Sequence, residues 1–168
     1  ANTYNGNTVL DNGTLAVMTI GSGGSSSNLG NAAGSLTIGN AATNTPYLLY
    51  YGAGETVTRS VIWNSTTGSA TIDSSGSGPL KIGNLTITGT GAKSLTLRGL
   101  NSDANEISSA LTATMGTGGV TKTDAGTWIL SGVNAYTGAT TVSSGWLGIG
   151  GTTGGSTGNP LPGPLTVG

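Results

Sequence analysis

The sequence predicts an all-β protein, a right-handed parallel β-helix (β-solenoid) of roughly seven to eight short coils. Three observations predict it. A short apolar alternation closed by a turn residue keeps returning, its copies recur at a near-regular interval, and helix signals are missing. The chain has 32 Gly, and counting adds 29 Thr, 19 Ser and 14 Asn, so these four types make up more than half of it. Gly at that density, with no sustained 3.6-residue apolar stripe, argues against helices. Recurrent Val, Ile, Leu and Thr with a net charge of only -1 separate it from disordered chains.

The alternation appears first as Leu15-Ala16-Val17, then Leu36-Thr37-Ile38-Gly39, Leu80-Lys81-Ile82-Gly83 and Leu85-Thr86-Ile87. It continues as Leu95-Thr96-Leu97-Arg98-Gly99, Trp128-Ile129-Leu130, Leu147-Gly148-Ile149-Gly150 and Leu165-Thr166-Val167-Gly168. Period-2 alternation with Gly punctuation reads as short, half-buried strands. The steps from Leu15 to Leu36, Trp128 to Leu147 and Leu147 to Leu165 are nearly equal, and Leu36 to Leu80 is two such steps. Recurrence at about 20 residues is the mark of a solenoid. The wider step from Leu95 to Trp128 calls for an insertion or a long coil. A coil this short cannot bury its own apolar face and must borrow its neighbour's. Stacking then gives parallel ladders about 4.8 Å apart. Leu36, Ile38, Leu80, Ile82, Leu85, Ile87, Leu95 and Leu97 are expected inward, in aliphatic columns, with Thr and Ser laddering outward. Gly at the corners permits tight bends.

The chain reads as a single solenoid segment, 1–168, with a longer repeat above the short one. Asn2, Tyr4, Gly6, Thr8, Gly13 and Leu15 recur as Asn134, Tyr136, Gly138, Thr140, Gly145 and Leu147, an offset of 132. Leu36-Thr37-Ile38-Gly39 recurs as Leu165-Thr166-Val167-Gly168, an offset of 129. Residues 1–39 thus repeat the pattern of 133–168, and the segment reads as a window on, or a subunit of, a larger repeating assembly. Starting on Ala1 without a charged-then-apolar leader, it reads as a mature product or a cut segment.

Composition excludes several function classes. Five scattered cations cannot form the basic stripe that nucleic acid requires. The absence of His and Cys removes the usual zinc, haem and iron–sulfur ligands, Ser–His and Cys–His catalysis, and disulfides. No apolar run reaches the length of about 20 residues that crosses a bilayer as a helix, so no direct membrane insertion is expected. No cofactor and no metal site are expected.

The stretch Gly119-Val120-Thr121-Lys122-Thr123-Asp124-Ala125-Gly126-Thr127-Trp128-Ile129-Leu130-Ser131-Gly132-Val133-Asn134-Ala135-Tyr136-Thr137-Gly138-Ala139-Thr140-Thr141-Val142 resembles the autotransporter-associated β-strand repeat, also called the passenger-associated transport repeat. Ser143-Ser144-Gly145-Trp146-Leu147-Gly148-Ile149-Gly150 continues that pattern, and the opening from Ala1 to Val17 looks like the second half of another copy. The resemblance implies a parallel β-helix in secreted or surface-displayed bacterial proteins and a scaffold role without catalysis. One departure stands out: Trp146 takes the place of Thr14, where the family usually has a small residue.

Candidate sites are few. Of Asp11, Glu55, Asp73, Asp103, Glu106 and Asp124, only Asp103 and Glu106 lie close in sequence. They read first as a loop and second as a weak cation site. An enzyme on this scaffold would need three or more carboxylate or basic groups converging in a groove. Aromatics carry more information. Alternation through Tyr47-Leu48-Leu49-Tyr50-Tyr51 puts Tyr47 and Tyr51 on one face, Leu48 and Tyr50 on the other. Trp146 is expected to face out, Trp63 and Trp128 in. Trp146, Tyr47, Tyr50 and Tyr51 are the candidate contacts with another subunit or a surface glycan. Thr8, Val9 and Leu10, with Leu165, Thr166 and Val167, are the candidate terminal pairing strands, since no polar cap is evident at either end. The sequons at Asn12, Asn64 and Asn84 read as chance matches in an Asn- and Thr-rich chain. Gly148 to Gly158 reads as a flexible loop, stiffened beyond by Pro160, Pro162 and Pro164. The implied function is a non-catalytic component of an extracellular fibre, filament or adhesin stalk on the bacterial surface. Its partners are copies of itself or adjoining segments of one long chain. The alternative is a glycan- or surface-binding module using the exposed aromatics.

Overall fold

A computed structural model describes residues 1–21, 26–31, 33–40, 42–150 and 163–168. Three parallel sheets are visited in a fixed order, although not every turn places a strand on each. The first sheet stacks Thr8–Leu10, Leu36–Ile38, Val61–Trp63 and Leu85–Ile87. The second stacks Gly13–Val17, Pro46–Tyr50, Thr67–Ser74, Lys93–Arg98, Val120–Lys122, Thr140–Val142 and Leu165–Val167, with Thr43–Asn44 also against Thr67–Ser74. The third stacks Ala53–Val57, Gly78–Ile82, Asn105–Ile107, Thr127–Leu130 and Trp146–Ile149. The chain is thus an all-β solenoid, of about six turns rather than seven to eight.

The lower count has a specific cause. The returning alternation marks strands, and a turn carries up to three of them. Leu36 stacks on Val61, and Val61 on Leu85, so each first-sheet rung takes more chain than the apparent interval. Leu15 pairs not with Leu36 but with Leu48, further along still. The step from Trp128 to Leu147 is a stacked one. Leu147 and Leu165 lie on different sheets, so the similar interval between them is not a turn. The wide step after Leu95 has a related origin: Leu95 stacks on Val120, and Trp128 on Asn105. Between them the chain carries no first-sheet strand but a 3-10 turn, Ala113–Met115, that buries Met115 and follows buried Leu111.

Alternation decides which side chains enter the core. Leu36, Ile38, Leu80, Ile82, Leu85, Ile87, Leu95 and Leu97 all point inward and are buried, as are Trp63 and Trp128. They join one continuous cluster, and each fully buried aliphatic side chain contributes about 1.5–3 kcal/mol. Outward on the second sheet runs a column in register: Thr14, Tyr47, Thr71, Thr96, Thr121, Thr141 and Thr166. β-Branched Thr suits this pleated, half-solvated surface.

The first turn departs from the pattern. Where a third-sheet strand would lie, the chain forms an antiparallel hairpin, Ser26–Ser27 with Gly30–Asn31. It adds Leu29, and Ile20 before it, to the core cluster. Two side chains of the next turn pin this excursion. The Glu55 carboxylate accepts from Ile20 N and Gly21 N, each at 2.8 Å. Buried Arg59 donates to Gly34 O at 2.7 Å and Gly30 O at 3.2 Å.

Candidate functional site

The polar interior comes first, because it fixes what the surface can offer. Lys93 is in phase with Leu95 and Leu97, so its side chain turns inward. Its ammonium meets Ser65 O at 2.6 Å, Gly89 O at 3.1 Å and Thr88 O, and lies 5.9 Å from the Trp63 ring centroid. Lys122, in phase with Val120, likewise reaches Asp124 O at 2.8 Å, Ser144 O at 3.3 Å and Thr123 O. Burial lowers the pKa of both lysines, with Asp124 opposing the shift at Lys122. Corner carbonyls, which have no ladder partner, thus supply the cations' hydrogen bonds and tie one turn to the next. Asn105 does the same with an amide. Its Oδ1 accepts from Leu80 N at 2.8 Å and Ser74 Oγ at 2.7 Å, and its Nδ2 donates to Thr127 O at 2.8 Å. Lys93, Lys122 and Asn105 escaped the sequence reading although their parity with Leu97, Val120 and Ile107 points them inward.

Of the acidic side chains, Asp73 and Asp124 share Arg98, and Glu106 and Asp103 have other partners. Asp73 accepts from Tyr47 Oη, accepts from Ser75 Oγ at 2.5 Å, and stands 3.5 Å from Arg98. Arg98 Nε donates to Asp124 Oδ2 at 2.8 Å. Burial works against the Asp124 carboxylate, but the Arg98 and Gly99 hydrogen bonds and the Arg98 and Lys122 charges outweigh it and hold its pKa below the ordinary value. Glu106 pairs with Lys81 at 3.8 Å and accepts from Ser131 Oγ at 2.5 Å. Asp103 closes the local turn with Asn101, whose Oδ1 accepts from Asp103 N at 3.0 Å. Among the described residues no three acidic groups converge as a metal set.

The candidate aromatics do not form one patch. Tyr47 is half-buried on the second sheet in the second turn, with the Arg98 guanidinium 5.8 Å from its ring centroid. Burial, then the Asp73 bond and charge, push its phenol up to about 12. Tyr51, just past the end of the same strand, is exposed. Tyr50 must be removed from the contact set: parity with Leu48 buries it completely, and its Oη accepts from Gly54 N at 2.9 Å. Trp146 stands four turns away on the third sheet, 55% exposed. Its ring lies over Gly148, where an added Cβ would come within 2.5 Å of it.

The candidate pairing strands end their sheets on different faces. Thr8–Leu10 pairs only with Leu36–Ile38 on the first sheet, and Leu165–Val167 only with Thr140–Val142 on the second, among the described residues. Val9, Leu165 and Val167 are exposed there, while Leu10 is buried. Gly13–Val17 and Trp146–Ile149 are likewise paired on one side only among the described residues. Gly151 to Gly158, with Pro160 and Pro162, fall outside the described residues.

Three parallel walls around one aliphatic core, faced with Thr and pinned at the corners by carbonyl-bound cations, define a repeat-built β-solenoid scaffold. The chain carries the passenger-associated transport repeat, whose family model matches residues 1–17 and 120–149. It is similar to the Adhesin BmaC autotransporter of Brucella suis biovar 1 (strain 1330), 36% identical over 156 residues. That match takes in 83% of this chain and 4% of the relative's length. No solved structure matches the chain.

Proposed function

We propose that this chain is a non-catalytic, load-carrying segment of a surface-displayed adhesin stalk, joined end to end to its neighbours by continued parallel β-pairing. The observation that carries the reading is the ladder itself. The second-sheet ladder passes through every turn and ends on Leu165–Val167, the first-sheet ladder begins on Thr8–Leu10, and each of these two strands keeps one unpaired edge among the described residues. Such edges recruit strands. Likeness to an adhesin passenger supports an extracellular or cell-surface location and a structural rather than enzymatic role. The engagement of the carboxylates within the fold agrees with it. Glu55, Asp73, Asp103, Glu106 and Asp124 are each engaged by an amide, a hydroxyl, an arginine or a lysine. Sedimentation of the full chain over a concentration series tests the pairing. The expected result is concentration-dependent association into linear species. A soluble monomer at the highest concentration would count against it.

A further inference from the structure

The two copies of the long repeat share their local geometry yet sit on different faces. Tyr4 Oη meets Thr8 Oγ1 at 2.6 Å, and Tyr136 Oη meets Thr140 Oγ1 at 2.5 Å. The equivalent glycines bend alike, Gly13 at φ 80 and Gly145 at φ 74. Thr8–Leu10 stacks under Leu36–Ile38 just as Thr140–Val142 stacks under Leu165–Val167. However, Thr8–Leu10 belongs to the first sheet and Thr140–Val142 to the second. Gly13–Val17 belongs to the second sheet, and its counterpart Trp146–Ile149 to the third. One repeat therefore advances five whole turns and one face. At the rung spacing of parallel sheets that is about 26 Å of axis with a third of a rotation.

This displacement says what the Trp146–Ile149 edge is built to receive. In the first copy, Gly13–Val17 carries Pro46–Tyr50 on its upper edge, with Thr14 opposite Tyr47, Leu15 opposite Leu48 and Val17 opposite Tyr50. In the second copy the same edge has no strand among the described residues. Leu147 and Ile149 pack against the core yet remain only partly buried. Trp146 replaces Thr14 and Gly148 replaces Ala16, a paired change that lets the indole lie flat.

We propose that the Trp146–Ile149 edge docks a strand of the next repeat unit with the pattern of Pro46–Tyr50, turned by one face about the solenoid axis. Residues equivalent to Leu48 and Tyr50 continue the inward columns above Leu147 and Ile149. The residue equivalent to Tyr47 stands beside Trp146, so the exposed indole gains an aromatic neighbour. Pairing through main-chain bonds with alternate side chains in pockets is the general mode of strand addition. The proposal rests on the end-to-end reading and adds the edge, the strand, the register and the rotation. Pro46–Tyr50 of this chain is itself paired on both edges, so the docking strand belongs to an adjoining segment and not to a second folded copy.

The test adds a synthetic peptide of residues 43–57 to the full chain and follows amide hydrogen exchange and acrylamide quenching. Trp63 and Trp128 are buried, so quenching reports Trp146. The expected result is about tenfold slower exchange within Trp146–Ile149 and reduced quenching. A peptide with Leu48→Asp and Tyr50→Asp should produce neither. A second form guards against weak binding in trans: residues 40–63 repeated directly after Gly168 make the pairing intramolecular. Unprotected Trp146–Ile149 amides in that form would overturn the proposal, as would peptide-induced protection at Thr8–Leu10 or Leu165–Val167 instead. Shielding of Trp146 by oligosaccharides and not by either strand would assign the indole to glycan and also overturn it. If sedimentation shows association while Trp146–Ile149 stays unprotected, end-to-end pairing survives and this register fails. Monomers that still bind the peptide reverse that outcome.

Discussion

Replacing Asn105 by Ala probes the interior most directly, because this one amide spans three successive turns. Ser74 and Leu80 lie in the turn before it and Thr127 in the turn after. The Ser74 hydroxyl can rotate toward another acceptor. The Leu80 N–H and the Thr127 carbonyl cannot, and Leu80 is completely buried. Leaving a buried polar group unpaired costs about 1–3 kcal/mol, so the two together predict a loss of about 2–6 kcal/mol. Asn105→Asp sharpens the test. It keeps the Oδ1 acceptor but turns a second oxygen toward Thr127 O and Asn101 Oδ1, which now lie 2.8 and 3.1 Å from Nδ2. Only the protonated acid can donate there, which raises the folded-state pKa of the introduced carboxyl. Stability should then be greatest below its unfolded pKa and be lost as pH rises through the raised value. Urea unfolding followed by the buried Trp63 and Trp128 gives the loss. Because stacked turns can open locally, exchange of the Leu80 amide should be read alongside. An Asn105→Ala protein within about 0.5 kcal/mol of the parent, with an unchanged Leu80 amide, would refute the reasoning.

Three further outcomes follow from single contacts. Gly145→Ala places a Cβ 2.3 Å from Asp124 O in a left-handed bend and should cost more than about 2 kcal/mol, with the last turn opening in hydrogen exchange. The counterpart Gly13→Ala meets nothing within 4 Å and should lose only the backbone term of about 1–2 kcal/mol. The Tyr47 phenol should ionise near 12 in a spectrophotometric titration, and Asp73→Asn should bring it down toward 10. A raised phenol pKa stabilises the fold fully below the unfolded value near 10, and that contribution is lost as pH rises through about 12. Glu55→Ala should speed exchange of the Ile20 and Gly21 amides while the Lys93–Arg98 ladder keeps its protection. Equal loosening throughout would mean the clamp is not local.

Much of the inside-outside pattern is legible in the chain itself. Strict alternation places Leu48 and Tyr50 on one face and Tyr47 and Tyr51 on the other, turns Trp146 outward, and sends Trp63 and Trp128 into the core. The same rule places Lys93, Lys122 and Asn105 inside. It is overridden by the habit of reading polar side chains as surface, which fails where corner carbonyls need donors. Tyr50 is misassigned as a contact for a related reason: a phenol reads as an interface residue until its parity is weighed. The hairpin of the first turn is not legible, since its Ser and Gly residues resemble any loop and its anchors, Glu55 and Arg59, lie a turn later.

The letters alone settle that short strands alternate, that they stack in parallel around one aliphatic core, and that the opening pattern returns about 130 residues later. Which strand lies on which emerges in three dimensions. A period-2 pattern fixes the side of the sheet each residue faces but is blind to phase around the axis. That phase depends on how many residues each corner consumes, and the corners are held by backbone and buried-cation contacts between distant parts of the chain. Hence the recurring unit can be read along the chain, whereas its one-face rotation cannot.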